Sequence, residues 1–157
     1  KYTWQDIGSS FLPNEFTTAF LYAQLEQAVD ITNKRLEIWK KYDNLIKPLE
    51  KKGLLQRPYI PEHCEHNAHM YQIVLTPEIN RDNVLKSMKN HNIGAVSHYV
   101  PLHSSPAGLK YCKTNGDLAI TDSISQRIIR LPLWVGISEE QQNYVVETLL
   151  SSLLAAE

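Results

Sequence analysis

Apolar residues recur at helical spacing between Asn14 and about residue 47. This period predicts one long helix or two joined helices, started by Pro13 and Asn14 and closed by Pro48 and Gly53. A continuous helix of this length would span about 50 Å, which is more than a small domain covers. We therefore expect part of its apolar face to pack against another part of the protein. The residues that set the period are Phe16, Ala19, Phe20, Ala23, Leu36, Trp39, Tyr42, Leu45 and Ile46.

Short strands and short helices alternate in the rest of the chain. Prolines and glycines separate the apolar runs, because neither continues a helix or a strand ladder easily. Asn80 and Ser138 are suited to cap helices, and Gln141 completes a capping box with Ser138. The predicted elements are a strand at 69–75, a helix from 80 to about 92, a strand at 95–100, a helix from 121 to about 128, a strand at 129–131 and a final helix after Ser138.

The segment at 102–118 shows neither a helical nor a strand period. It contains Pro106, Gly108 and Gly116, which favours a loop. A loop this long inside a compact domain is usually functional or flexible. The element order as a whole predicts an α+β fold with a small antiparallel or mixed sheet, helices on one face, and a long helix region in front.

Composition narrows the classes of function. The chain has 157 residues and is 43% hydrophobic, which is enough for one core. Lys and Arg (16) nearly balance Asp and Glu (17), so no strong field would attract nucleic acid or an anionic membrane. Cys64 and Cys112 cannot form a disulfide framework, and no apolar run is long enough to span a membrane. The first residues lack a signal segment and an initiator Met, so we expect a cytoplasmic protein and a cut within a longer chain.

The segment at 63–69 contains three histidines and a cysteine, and it invites a metal interpretation. His66 and His69 could supply two ligands, but no second Cys or His pair follows at a ligand spacing. The surrounding residues indicate a loop that leads into a strand. A metal site is therefore the weaker of the two interpretations.

His98, Tyr99 and His103 lie where a predicted strand gives way to the long loop. Alternation would place His98 and Tyr99 on opposite faces of the sheet, and Pro101 could turn His103 back toward the same rim. Imidazole can donate to or accept from sugar hydroxyls, and it can pair with phosphate when protonated. From the pattern alone, two partly exposed histidines without a ligand are the favoured interpretation.

Gly8, Ser9 and Ser10 precede the first predicted helix. Backbone N–H groups and hydroxyls before a helix start can bind phosphate. A turn that only caps the helix is the commoner use of such a segment.

Several segments together resemble the DegT-type family of sugar-nucleotide aminotransferases. The resemblance runs from Tyr2 to about Leu153, and within the family it is greatest to the members that make dTDP-4-amino-4,6-dideoxygalactose for surface glycans. The segments that carry it are Tyr-Thr-Trp-Gln-Asp-Ile-Gly-Ser-Ser-Phe at 2–11, Ala-Gln-Leu-Glu at 23–26, Asn-Ala-His-Met-Tyr at 67–71, His-Tyr-Val-Pro-Leu-His-Ser-Ser-Pro-Ala-Gly at 98–108 and Arg-Leu-Pro-Leu at 130–133.

The resemblance implies a homodimeric fold-type I enzyme that uses pyridoxal phosphate. Such an enzyme moves an amino group from glutamate to the 4-keto carbon of a nucleotide-linked 6-deoxysugar. Residues 1–13 would be the end of a large-domain crossover, residues 14–52 a connecting helix region, and residues 53–157 a small α/β domain. The family's cofactor-binding lysine lies upstream, and Lys1 is not that lysine because no glycine-rich run follows it. We therefore expect this chain alone to be inactive and to bind no pyridoxal phosphate.

The resemblance also assigns site residues. The family's Gly-x-Asn-x-Arg segment reaches the cofactor phosphate of the neighbouring subunit, and it aligns with Gly8, Ser10 and Leu12. Ser10 can still donate one hydrogen bond to phosphate, whereas Leu12 cannot. His98 and Tyr99 match the family's strand-end pair beside the sugar nucleotide, with His103 as a companion.

The residues alone leave two other functions open. A self-standing ligand-binding or regulatory module would bury Phe16, Phe20 and Tyr22 within one chain, whereas a piece of a larger enzyme would leave them as an exposed patch. A small hydrolase using His98 and His103 is the weaker alternative, because nothing offers a nucleophile with an orienting partner.

Overall fold

The computed structural model describes residues 3–8 and 11–155. The fold is α+β, as predicted, and its sheet is antiparallel throughout. The elements in chain order are α1 (Glu15–Glu26), α2 (Ala28–Lys51), β1 (Leu55–Gln56), β2 (Tyr71–Leu75), α3 (Arg81–Asn90), β3 (Val96–Ser97), a 3-10 turn (Leu102–Ser104), α4 (Pro106–Tyr111), α5 (Ala119–Arg127), β4 (Ile128–Leu131) and α6 (Glu139–Leu154).

The sheet has the strand order β1-β2-β4-β3. Side chains alternate between the two faces of a strand, and one face is buried against α2, α3 and α6. Helix α6 packs on both α2 and α3, which closes the helical layer. The core is formed by Trp39, Tyr42, Ile46, Tyr71, Ile73, Leu75, Val84, Met88, Ile129, Leu131, Val145, Leu149 and Leu153, with smaller neighbours around them.

The predicted helical region is two helices that join at Gln27. Helix α2 buries Trp39, Tyr42, Ile46 and Leu49, whereas α1 buries no residue. The exposed fractions of Phe16, Phe20 and Tyr22 are 91%, 70% and 66%. Within the described residues, the apolar face of α1 therefore packs against nothing.

The caps that the sequence indicated are present. The Asn80 side chain accepts a hydrogen bond from the Asn83 backbone N–H at 3.0 Å. Ser138 and Gln141 exchange the two hydrogen bonds of a capping box at 2.9 and 3.2 Å. After α3 the chain reverses through Asn92, whose φ of 58° is left-handed, as expected near the end of that helix.

Two predicted elements are wrong in extent. The strand expected at 95–100 pairs only over Val96–Ser97. The segment expected as a loop at 102–118 contains a 3-10 turn and α4. Helix α4 begins because the Ser105 hydroxyl accepts from the Gly108 N–H at 3.1 Å and Pro106 follows this cap.

Helix α2 is tied to the segment after β1 through Arg57. Its Nε donates to Glu50 Oε2 at 2.7 Å, and its Nη1 donates to Asp43 Oδ2 at 2.5 Å. The Arg57 backbone N–H also donates to Glu50 Oε1 at 2.8 Å. The hydrogen bond that Glu50 accepts from this N–H holds the pKa of the Glu50 carboxyl below its usual value.

In the described ranges 3–8 and 11–155, no helix combines the length and apolar character of a membrane span.

Candidate functional site

The candidate site lies on the sheet face that the helical layer leaves open. Ile129 and Leu131 of β4 are buried in the core, so Arg130 between them projects from the opposite face. The strand register places Arg130 opposite Gln72 of β2 and Val96 of β3. The position of Arg130 is therefore fixed by two neighbouring strands.

Arg130 has few polar partners for its guanidinium group. Its Nη2 donates to the Ser97 carbonyl oxygen at 3.1 Å. Its Nε is buried and has no hydrogen-bond partner among residues 3–8 and 11–155. The guanidinium carbon lies 5.6 Å from the centre of the Tyr99 ring, within the range of a cation–π contact.

His98 and Tyr99 follow β3 directly and contact each other. Their ring centroids are 5.3 Å apart in an edge-to-face arrangement. The expectation that they point to opposite faces of a strand does not apply, because the strand ends at Ser97. Partial burial, and then the electrostatic effects of the neighbouring Arg130 and His69, lower the pKa of His98 below its usual 6.5. His98 is consequently a neutral imidazole at neutral pH.

Open cavities flank this pair on both sides. A cavity of about 490 Å³ is lined by Leu85, residues 95–100 and Arg130. A second one of about 570 Å³ is bounded by residues 98–102 and by Ile120, Ile124 and other residues of α5 and β4. His98 and Tyr99 line both cavities, so a ligand in either would meet them.

His103 lies in the 3-10 turn and faces α5. Its Nε2 is 3.0 Å from Asp122 Oδ1, and its side chain is only 19% exposed. His103 does not line either of the two cavities, whereas Asp122 lines a third one with His98 and Tyr99. The structure thus brings His98 and Tyr99 together. His103 is connected to them indirectly, because its partner Asp122 lines a cavity with both.

The N-terminal segment contacts α4. The Ala107 N–H donates to the Trp4 carbonyl oxygen at 3.0 Å, and the Tyr111 hydroxyl donates to Asp6 Oδ1 at 2.6 Å. Residues 4–6 therefore lie beside α4, so parts of two of the segments that carry the family resemblance are neighbours in space. Ser9 and Ser10, and with them the assigned cofactor contact of Ser10, lie outside the described residues.

The histidine-rich segment at 63–69 has local structural contacts. The His66 ring lies edge-on to Trp39 with centroids 4.5 Å apart. The backbone oxygens of Ala68 and His69 accept hydrogen bonds from Arg35. Across residues 3–8 and 11–155, no group of three or more His, Cys, Asp or Glu side chains could hold a metal ion.

Arg130 is the residue of this site that the sequence interpretation did not single out. The signal was available, since Arg130 is a charged residue in the middle of an apolar run, Ile-Ile-Arg-Leu-Pro-Leu at 128–133. Charged residues are rare at such positions in a central strand, so this arginine indicates a candidate functional residue.

Comparison with known proteins identifies a family that the chain matches. The model of the DegT/DnrJ/EryC1/StrS aminotransferase family matches residues 1–150. The dTDP-4-dehydro-2,3,6-trideoxy-D-glucose 4-aminotransferase of Saccharopolyspora spinosa is 29% identical over 143 residues, which are 91% of this chain. The chain spans only 35% of that relative's length.

Solved structures show the same fold. Helicobacter pylori PseC, an aminotransferase involved in the biosynthesis of pseudoaminic acid, superposes with a TM-score of 0.77 at 21% identity, over 96% of this chain and 40% of its own. A putative PLP-dependent aminotransferase from Bacillus cereus gives a TM-score of 0.72 at 27% identity, over 86% of this chain and 36% of its own. Because the family model extends over nearly the whole sequence, the chain belongs to the DegT/DnrJ/EryC1/StrS aminotransferase family.

Proposed function

We propose that this chain is the C-terminal portion of a pyridoxal-phosphate-dependent aminotransferase in surface polysaccharide biosynthesis. Its substrates would be a nucleotide-linked 4-keto-6-deoxysugar and glutamate as the amino donor. The observation that carries the proposal is the family match over residues 1–150. The names of the Saccharopolyspora and Helicobacter relatives support a sugar substrate. Products such as dTDP-4-amino-4,6-dideoxygalactose fit this class.

The described residues do not by themselves fit pyridoxal phosphate. Enzymes of this kind hold the cofactor through a lysine amine. No lysine is among the residues that line the cavities beside His98 and Tyr99. We infer that the cofactor is held mainly by a part of the parent enzyme outside this chain, with Ser10 donating one hydrogen bond to its phosphate.

His98 and Tyr99 are proposed to contact the sugar nucleotide. A neutral imidazole can either donate to or accept from a sugar hydroxyl, and the lowered pKa of His98 favours this neutral form. The Tyr99 hydroxyl adds a second group that can donate and accept. His103 would act as their companion, because its contact with Asp122 ties the 3-10 turn to α5.

The exposed face of α1 supports a larger assembly. Phe16 and Phe20 lie one turn apart and form an apolar patch in water, Tyr22 is exposed as well, and soluble proteins usually cover such surfaces. We assign the covering surface to the remaining part of the same parent chain. The parent is proposed to be a cytoplasmic homodimer.

Cofactor trapping tests the proposal. The protein encoded by the full reading frame and the 157-residue chain would each be mixed with pyridoxal phosphate, reduced with borohydride and mapped by mass spectrometry. We expect a labelled lysine upstream of these 157 residues and consumption of a dTDP-linked 4-keto-6-deoxysugar with glutamate. The 157-residue chain should show neither. A labelled lysine within residues 1–157 that accompanies activity of the chain alone would overturn the proposal, and a stable chain that only binds ligand would favour a regulatory module.

A substitution in the full-length protein tests the proposed substrate contact separately. His98→Ala should lower kcat/KM for the sugar nucleotide by about tenfold or more, as expected for one lost hydrogen bond of ~1.4 kcal/mol. His91→Ala is the matched control, because His91 is exposed at the C-terminal end of α3, its ring contacts the Ser87 carbonyl oxygen, and it does not line the cavities beside His98 and Tyr99. Equal effects of the two substitutions would argue against a role for His98.

A further inference from the structure

No carboxylate in the described part of the chain pairs with the charge of Arg130. Arg57 and Arg81 each pair with an acidic side chain. Among residues 3–8 and 11–155, Arg130 forms no ion pair, and its polar contact is the Ser97 carbonyl oxygen. A guanidinium group has five N–H donors, so most of this binding capacity is unused.

The surroundings of Arg130 make this arrangement costly. Its Nε is shielded from solvent without an acceptor among the described residues, and a buried donor without a partner is unfavourable. The pair of strands on either side of β4 and the Tyr99 ring hold the group in place. An arginine that is fixed, poorly paired and next to an open cavity is suited to receive an anion from the cavity side.

We propose that Arg130 binds an oxyanion of the substrate, so that the rim of His98, Tyr99 and Arg130 combines hydroxyl recognition with anion recognition. The proposal rests on the aminotransferase function inferred above. The anion has two sources in that reaction: the diphosphate of the nucleotide-linked sugar and the carboxylates of the amino donor. Both are recognised by the same planar N–H donors of a guanidinium group.

The ligand does not need to contact Nε. An anion in the cavity would accept hydrogen bonds from the other N–H groups of Arg130, which lines the cavity. His98 is neutral at neutral pH, so it does not compete as a cation for the same anion. Arg130 therefore supplies the fixed positive charge of this rim.

The test uses the full-length protein and single-turnover kinetics. It measures the sugar half-reaction and the glutamate half-reaction separately. Arg130→Gln removes the charge, and Arg130→Lys keeps the charge but loses the planar donor set. If the anion is the diphosphate, Arg130→Gln should weaken the sugar half-reaction about ten- to a hundredfold and weaken inhibition by dTDP equally. If the anion is the donor carboxylate, the same loss should appear in the glutamate half-reaction alone. Arg130→Lys should lie between wild type and Arg130→Gln.

Arg127→Gln is the matched control. Arg127 donates to the Leu75 carbonyl oxygen and to Ser123 and does not line the 490 Å³ cavity. Its loss should affect stability without selecting one half-reaction. Unchanged kinetics of Arg130→Gln, or equal losses in both half-reactions as for Arg127→Gln, would overturn the proposal.

A binding measurement guards against a folding artefact. The melting temperature of the wild-type protein should rise with dTDP or with glutamate, depending on the source of the anion. The circular dichroism spectrum first shows whether Arg130→Gln is folded. In a folded Arg130→Gln variant, this rise in melting temperature should be lost. An Arg130→Gln variant whose melting temperature still rises with both dTDP and glutamate would also overturn the proposal. A wild-type protein that transfers no amino group refutes the proposed function, whereas an active wild type with an unaffected Arg130→Gln refutes only the role of Arg130.

Discussion

Gly108 illustrates how one residue shapes the rim of the site. A Cβ built on Gly108 would lie 1.8 Å from the Leu102 carbonyl oxygen and 2.8 Å from its carbon. The 3-10 turn thus folds directly onto the start of α4, and only a residue without a side chain allows this approach.

We expect Gly108→Ala to displace the turn or α4 and to lower the free energy of unfolding by about 1–3 kcal/mol or more. Urea denaturation measures this loss. Gly94→Ala is the control, because an added Cβ at Gly94 meets no atom within 4 Å. A Gly108→Ala variant as stable as Gly94→Ala would show that the turn packs differently.

Arg57 shows a charged residue used for stability rather than binding. It contacts both Glu50 and Asp43, and its side chain is 20% exposed. Arg57→Ala leaves two partly buried carboxylates without their cation, so we expect a loss of about 2 kcal/mol in the free energy of unfolding.

Lys34→Ala provides the comparison for Arg57→Ala. Lys34 pairs with Asp30 on the exposed surface of α2, where such a pair contributes about 0.5 kcal/mol or less. Thermal or urea unfolding of both variants separates the two cases. Similar small losses would mean that the Arg57 contacts are as weak as a surface pair.

The residues of the candidate site were predictable to different degrees. His98 and Tyr99 were identified by their match to a family segment, and the structure places them beside each other. Their shared cavities depend on where β3 ends and on how α5 packs beside it, and no local pattern specifies that packing. Arg130 was missed because its face is set by the register of β4 with β2 and β3, a pairing between residues distant in sequence.

At the level of elements, α1 and α2 share one apolar period but differ in environment. Helix α2 is buried on one side, whereas α1 leaves Phe16 and Phe20 exposed. The period alone could not separate them, because a hydrophobic face has the same pattern whether its partner is in the chain or elsewhere.

This difference predicts the effect of substitutions in α1. Phe16→Ser combined with Phe20→Ser should change the stability of the 157-residue chain by about 0.5 kcal/mol or less, because both rings are exposed there. In the full-length protein the same pair should cost several kcal/mol if the rings are covered. Urea denaturation of both proteins makes the comparison.

Leu149→Ala is the positive control for the α1 variants. Leu149 is fully buried in α6, so its truncation should cost about 2–5 kcal/mol in either protein. An equally large loss for the α1 pair in the 157-residue chain would mean that α1 is covered within that chain.

Helices with side-chain caps were the elements that the sequence located best. Asn80 and Ser138 start α3 and α6 because each side chain satisfies a free N–H of the first turn. The short α4 was overlooked, although Ser105 and Pro106 form a cap and first position of the same kind. Its six residues carry no period long enough to recognise.

For the whole molecule, the fold class followed from the order of elements and their apolar faces. The long-range arrangement did not, since the order β1-β2-β4-β3 inserts the last strand between two earlier ones. That insertion brings Arg130 next to Ser97 and so creates the rim. Sequence patterns identify strands, whereas the pairing of distant strands is decided by the packing of the complete core.

Both outer strands of this sheet, β1 and β3, are only two residues long. Long, flat edges are templates on which other chains add strands and aggregate, and very short edges remove this template. The sheet is thereby protected against growth from either side. Assembly with other polypeptides is left to side-chain surfaces, which can be specific for one partner in a way that an open backbone edge cannot.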